Sequence, residues 1–163
     1  SRPNRLSMDR KNSTYTRARA LLASFSADHI FLDSSSCMPS SPWMEQRFAA
    51  EYPELIHLRR ISLKTRNPQT HTPTPGEEQW LLSAREALRE KETVAPGLIV
   101  TRETTTVLFP ITINDPACLL CHGDPQTIME DVKTALRANY PQDQATGYQL
   151  GDFRGALALE WRN

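Results

Sequence analysis

The sequence predicts an α+β domain, an antiparallel sheet flanked by helices, on three observations. Residues 98–102 and 105–113 read as strands joined into a hairpin around Glu103-Thr104. The chain ends on a clean alternation, with Leu157, Leu159 and Trp161 on one side and Ala156, Ala158 and Glu160 on the other. Residues 9–33 carry Tyr15, Ala18, Leu22, Phe25, His29 and Leu32 at steps of three and four, the stripe of one long helix. Hairpins without regular strand–helix–strand alternation favour antiparallel pairing.

The other elements follow in order. The N-terminal helix begins in a basic stretch, Arg2 to Arg19, with Asp9 its one acid. This reads as a solvated helix start, or as a segment facing lipid headgroups. A breaker-rich loop, 33–42, holds Cys37 and Met38. Ser41-Pro42 starts a short helix that Tyr52-Pro53 ends. Residues 55–65 contain Ile61-Ser62-Leu63-Lys64, an alternation suited to a half-buried strand. Thr74-Pro75-Gly76-Glu77 fits a capping box for a helix over 75–92, with Trp80, Leu81, Ala84, Ala87 and Leu88 inward. A further helix is expected over 127–138, with Ile128, Val132, Ala135 and Leu136 inward, then a loop over 140–151 and the final strand.

The chain has 163 residues, 39% hydrophobic and 23% charged, the composition of one globular domain over 1–163. Nineteen basic and nineteen acidic side chains cancel, leaving no electrostatic footprint for nucleic acid. Apolar runs are far too short for a membrane span or a signal-peptide core.

Cys118-Leu119-Leu120-Cys121-His122 spells C-x-x-C-H, the attachment signature of c-type haem. Two thiols at this spacing each form a thioether to one haem vinyl group, and the adjacent His122 reaches the iron as an axial ligand. Such attachment takes place outside the bacterial cytoplasm. The first residue, Ser1, is therefore expected to follow a removed signal or anchor segment. A Cys₃His zinc site with Cys37 and a redox dithiol are the competing chemistries, and neither explains the His directly after Cys121.

For the second axial position the candidates are Cys37, Met38, Met44, His29, His57 and His71. Met8 lies near the chain start, and Met129 is expected on the apolar face of a helix. Cys37 is the leading candidate: a single thiol in an oxidising compartment is protected by binding iron, and a thiolate stabilises ferric over ferrous iron. Met38, a neutral thioether, is the alternative and a replacement ligand on reduction. Arg66, Asn67 and Arg154 are candidate partners for haem propionates, since guanidinium pairs bidentately with carboxylate. Trp80, Phe109 and Tyr148 are candidate pocket walls or ordinary core.

Further motifs surround the haem signature. Arg66-Asn67-Pro68 precedes it, and Phe109-Pro110-Ile111 lies just ahead of Cys118 to Gly123. Tyr140-Pro141-x-Asp143-x-Ala145-Thr146-Gly147-Tyr148 and Gly151-Asp152-Phe153-Arg154-Gly155-Ala156 follow. From about Leu58 onward the chain resembles the single-haem c-type domains of PAS-like fold, found alone and as extracytoplasmic sensor regions of histidine kinases and chemoreceptors. The resemblance implies a PAS-like sheet with haem at its edge. Some relatives of this kind use a cysteine from the loop after the N-terminal helix as second axial ligand, and Cys37 stands in the matching place.

No nucleophile–base or paired-carboxylate arrangement marks an enzyme. The expected role is a sensor of redox state or of a small gas such as nitric oxide or carbon monoxide, with Cys37 leaving the iron on reduction. The alternative is a monohaem electron-transfer cytochrome with a redox partner. A kinase or chemoreceptor output in a longer chain would favour sensing. The long N-terminal helix is a candidate homodimer contact.

Overall fold

The computed structural model describes residues 55–163 and, before them, only Ser13, Thr16, Ala20, Ala50 and Pro53. The expected N-terminal helix is therefore covered at three positions alone. Met8, His29, Cys37, Met38 and Met44 lie outside the described residues.

The described elements are β1 (Leu55–Ile61), α1 (Pro68–His71), α2 (Pro75–Arg89), β2 (Gly97–Val100) and β3 (Thr104–Thr112). They continue with a 3₁₀ turn (Pro116–Cys118), α3 (Leu119–His122), α4 (Glu130–Asn139) and β4 (Phe153–Arg162). Four strands form one sheet in the order β1-β4-β3-β2, every pair antiparallel. The α+β architecture with helices beside an antiparallel sheet is thus the observed one.

β4 pairs on both edges, with β1 and β3, and its side chains are buried on both faces. Ala156 and Ala158 face α2, where small side chains let the helix approach closely. Leu81 and Ala84 of α2 pack there with Ile61, Leu108 and Phe153. Leu157, Leu159 and Trp161 are buried on the opposite face. Trp80 sits over Gly97 and meets Phe153 edge-on at 6.4 Å, so it belongs to the α2–sheet core. Phe109, buried within β3, is opposite Leu157.

Three boundaries differ from the sequence expectation, each for a local reason. β1 stops at Ile61 because the Ser62 hydroxyl accepts the Lys64 N–H and turns the chain. α2 ends at Arg89, in a Schellman motif whose left-handed residue is Lys91 (φ 60) instead of the usual glycine. There Lys91 N–H donates to Leu88 O and Glu92 N–H to Ala87 O. α4 begins at Glu130, three residues late, because Asp124 accepts the N–H groups of Gln126, Thr127 and Ile128 in a separate turn. Met129 is consequently the extended N-cap residue, 63% exposed, and not on the apolar face of a helix.

Candidate functional site

The C-x-x-C-H segment is built by local chemistry. The Asp115 carboxylate accepts the Ala117 N–H at 2.8 Å, and Pro116 takes a first-turn position. The chain then passes through the 3₁₀ turn into α3, so Cys118, Cys121 and His122 fall on one tight helical segment. Cys121 is buried and Cys118 half-buried, and no disulfide joins them. Gly123 closes the segment with its N–H on Leu119 O. A Cβ at Gly123 would lie 2.5 Å from that same oxygen, so only glycine closes this turn.

The loop after α4 lies alongside. Gly147 N–H donates to Gly123 O at 2.8 Å and Tyr148 N–H to His122 O at 2.9 Å. Gly147 has φ 77, a left-handed conformation that glycine adopts without steric cost. Ile113, Ala145 and Tyr148 form a small apolar cluster here, with Cys118 and Leu119 against it.

His122 Nδ1 lies 2.6 Å from the Ala145 carbonyl oxygen. That oxygen can only accept, so Nδ1 carries the proton and Nε2 keeps its lone pair for a metal. The Arg66 Nη2 contact to the same nitrogen, at 3.3 Å, is then donor against donor and adds no hydrogen bond. Burial first, then the Arg154 and Arg66 guanidinium charges, lower the imidazole pKa from 6.5 to about 3; the Ala145 bond opposes them. The ring is therefore neutral at pH 7, the form that ligates iron.

Arg66 is buried between both segments. Its Nη2 donates to Cys121 O at 2.6 Å and more weakly to Ala145 O at 3.4 Å. Its Nε donates to Asp143 Oδ2 at 3.1 Å in an ion pair 7% and 11% exposed. Asn67 caps α1, its side chain accepting the Gln69 N–H.

Tyr148 is buried, with its ring edge-on to His122 at 6.1 Å. Lys64 Nζ stands 4.6 Å from the Tyr148 ring centre and the Arg154 guanidinium carbon 5.4 Å. Arg154 Nη1 also donates to Ser62 Oγ at 2.7 Å. A cleft of about 670 Å³ opens beside Tyr148, with Lys64, Arg85, Arg89 and Arg154 on its walls. Cys118, Cys121 and His122 are not among its lining residues. It is a cationic neighbour of the motif, not its centre.

The structure therefore brings Cys118, Cys121, His122, Arg66, Tyr148 and Arg154 into one region. His57 is exposed on β1. His71, half-buried at the end of α1, has its pKa lowered to about 4 by burial and then by Arg60, Arg154 and Arg66. No group of three His, Cys, Asp or Glu side chains suited to a metal ion exists among the described residues. Sequence reasoning gave no role to Asp143 or to the Ala145 carbonyl. The signal was present, since Asp followed two residues later by an N–H to bind is an Asx turn.

No curated protein matches the chain. Among solved structures, it is similar to one described as the crystal structure of the cyanobacterial heme-protein Tll0287, at 20% identity and a TM-score of 0.64. The likeness covers 99% of this chain and 98% of that one, and at this identity it speaks for a shared fold. The family model described as Tll0287-like matches residues 6–161, nearly the whole sequence, and the chain belongs to the Tll0287-like family.

Proposed function

We propose that this chain is a monohaem c-type protein of PAS-like fold, working outside the cytoplasm as a redox or small-gas sensor domain and not as an enzyme. One observation carries the haem reading. His122, directly after the second cysteine of C-x-x-C, is a neutral imidazole with Nδ1–H committed to Ala145 O and Nε2 left to ligate. The donor set suits haem c: Cys118 and Cys121 would hold it through thioethers and His122 through Nε2. The name of the similar solved structure, a heme-protein, supports the same reading. When bound, the group supplies one-electron chemistry and affinity for diatomic gases.

The protein's own residues set the terms. The backbone bonds from Gly147 and Tyr148 fix the peptide carbonyls of Gly123 and His122. The Ala145 carbonyl fixes the tautomer of His122 and strengthens its donation. Arg154 offers a guanidinium beside Tyr148 for a propionate. Cys37 would be the second residue to hold the group, with Met38 as its replacement. With Cys37 and His122 both holding the group, a gas would find a place only if one of them let go. A thiolate favours ferric iron, so Cys37 would be held in the oxidised protein and released in the reduced one. An attached kinase or chemoreceptor segment, or a second copy of the chain, would read that release.

Absorption and electron-spin spectra of the oxidised and reduced protein test both levels. The expected result is a Soret band, a thiolate signature in the ferric state and its loss on reduction. Cys37→Ala should raise the reduction potential and open the iron to carbon monoxide. A bare polypeptide mass after native maturation would overturn haem attachment. Identical axial ligation in both oxidation states would overturn sensing by ligand switch and leave the electron carrier.

A further inference from the structure

We propose that Asp143 is a positioning residue for His122, aiming the Ala145 carbonyl at Nδ1–H and restraining the Arg66 guanidinium that competes for the same oxygen. This deepens the haem reading above and rests on it only for the potential measurement.

The geometry forms a closed circuit. Asp143 Oδ1 accepts the Ala145 N–H at 2.8 Å, an Asx turn that sets the orientation of the following peptide. Asp143 Oδ2 accepts from Arg66 Nε at 3.1 Å. Arg66 in turn donates to Cys121 O at 2.6 Å, on the residue just before His122. His122 completes the circuit through Ala145 O at 2.6 Å. The neighbouring Gln144 N–H donates to Thr65 O at 2.9 Å, holding the loop to the segment that carries Arg66.

Two donors face the Ala145 oxygen, the imidazole at 2.6 Å and Arg66 Nη2 at 3.4 Å. Asp143 draws the guanidinium by its Nε edge, which leaves the carbonyl to the imidazole. Without the carboxylate, a buried cation 3.3 Å from His122 Nδ1 has lost its counter-charge. The carbonyl is then the nearest acceptor for that cation. The imidazole loses its partner, donates less to a metal, and is free to rotate.

The test compares natively matured wild type, Asp143→Asn, the double variant Asp143→Asn/Arg66→Met, and the surface control Glu130→Gln. Reduction potential and hydrogen exchange of the His122 Nδ1–H in the reduced, diamagnetic protein are read for each. Asp143→Asn should raise the potential and speed Nδ1–H exchange at least tenfold, while Glu130→Gln changes neither. Loss of a negative charge alone raises a potential, so the exchange rate decides. The double variant removes both charges of the pair and remains the test if the single variant does not fold. With the competing guanidinium gone and the new amide oxygen still able to accept the Ala145 N–H, it should exchange at close to the wild-type rate. Wild-type exchange in folded Asp143→Asn, or fast exchange in the folded double variant, overturns the proposal. A wild-type protein without a Soret band defeats the haem reading separately, and exchange of the same N–H still decides the role of Asp143.

Discussion

The α2–sheet half of the molecule and the His122 half are held by different forces. In the first, Ile61, Leu81, Leu108 and Ala156 are at most 1% exposed, and their contribution is apolar burial without directional bonds. In the second, the apolar cluster shrinks to Ile113, Ala145 and Tyr148. Order there comes from a buried ion pair, an Asx turn and side chains bound to backbone carbonyls. Apolar packing tolerates change of similar volume, whereas a polar network loses its geometry when one member goes. The sheet half should therefore govern stability, and the polar half the orientation of one imidazole.

The largest expected effect tests that division from the apolar side. Leu81→Ala, at a side chain fully excluded from solvent, should cost about 3 kcal/mol in urea unfolding. The folded protein should keep a wild-type absorption spectrum and wild-type His122 Nδ1–H exchange. A changed spectrum in folded Leu81→Ala would show that the two halves are one cooperative packing unit.

His71 sharpens the comparison because it lies where the halves meet. Its carbonyl accepts the Ser62 N–H, and burial, then the charges of Arg60, Arg154 and Arg66, act on its ring. Its pKa in the folded chain is about 4, against an ordinary value of 6.5. Between those values the unfolded chain binds the extra proton, so stability rises with pH. It is lost as pH falls from 6.5 toward 4. His71→Gln should flatten the dependence of the urea midpoint on pH in that window, by about 1 kcal/mol once partial exposure is discounted. An unchanged slope would mean that neither burial nor the arginines around His71 lower its pKa in the fold.

What the sequence made legible was what neighbouring residues determine. The Thr74–Glu77 capping box, the hairpin and the alternation of β4 were readable because each rests on residues a few positions apart. C-x-x-C-H was readable for the same reason. The end of α2 was not, because its left-handed residue is a lysine, and the late start of α4 was hidden in the bonds that Asp124 takes. Within the site, Arg66 and Arg154 stood out as cations that could meet a propionate. The carboxylate Arg66 engages in the fold is Asp143, 77 positions away. No local pattern in one sequence relates two residues at that separation.

The smallest expected effect probes a polar device inside the apolar half. Thr74 accepts the Glu77 N–H, and the Glu77 carboxylate accepts the Thr74 N–H at 2.8 Å. Glu77 is 2% exposed and also pairs with Arg59 of β1, so one carboxylate caps α2 and ties its start to the sheet. Thr74→Ala removes only the hydroxyl side of the box. That hydrogen bond is long, 3.4 Å, and the carboxylate keeps both of its partners. The expected loss is thus at the low end for an N-cap, about 0.5 kcal/mol. A loss several times larger would mean that the Thr74 hydroxyl also fixes the Glu77–Arg59 pair, and that the apolar half too depends on a bonded network at its edge. A double-mutant cycle of Thr74→Ala with Arg59→Met reads that coupling directly. Additive effects keep the division between the two halves intact.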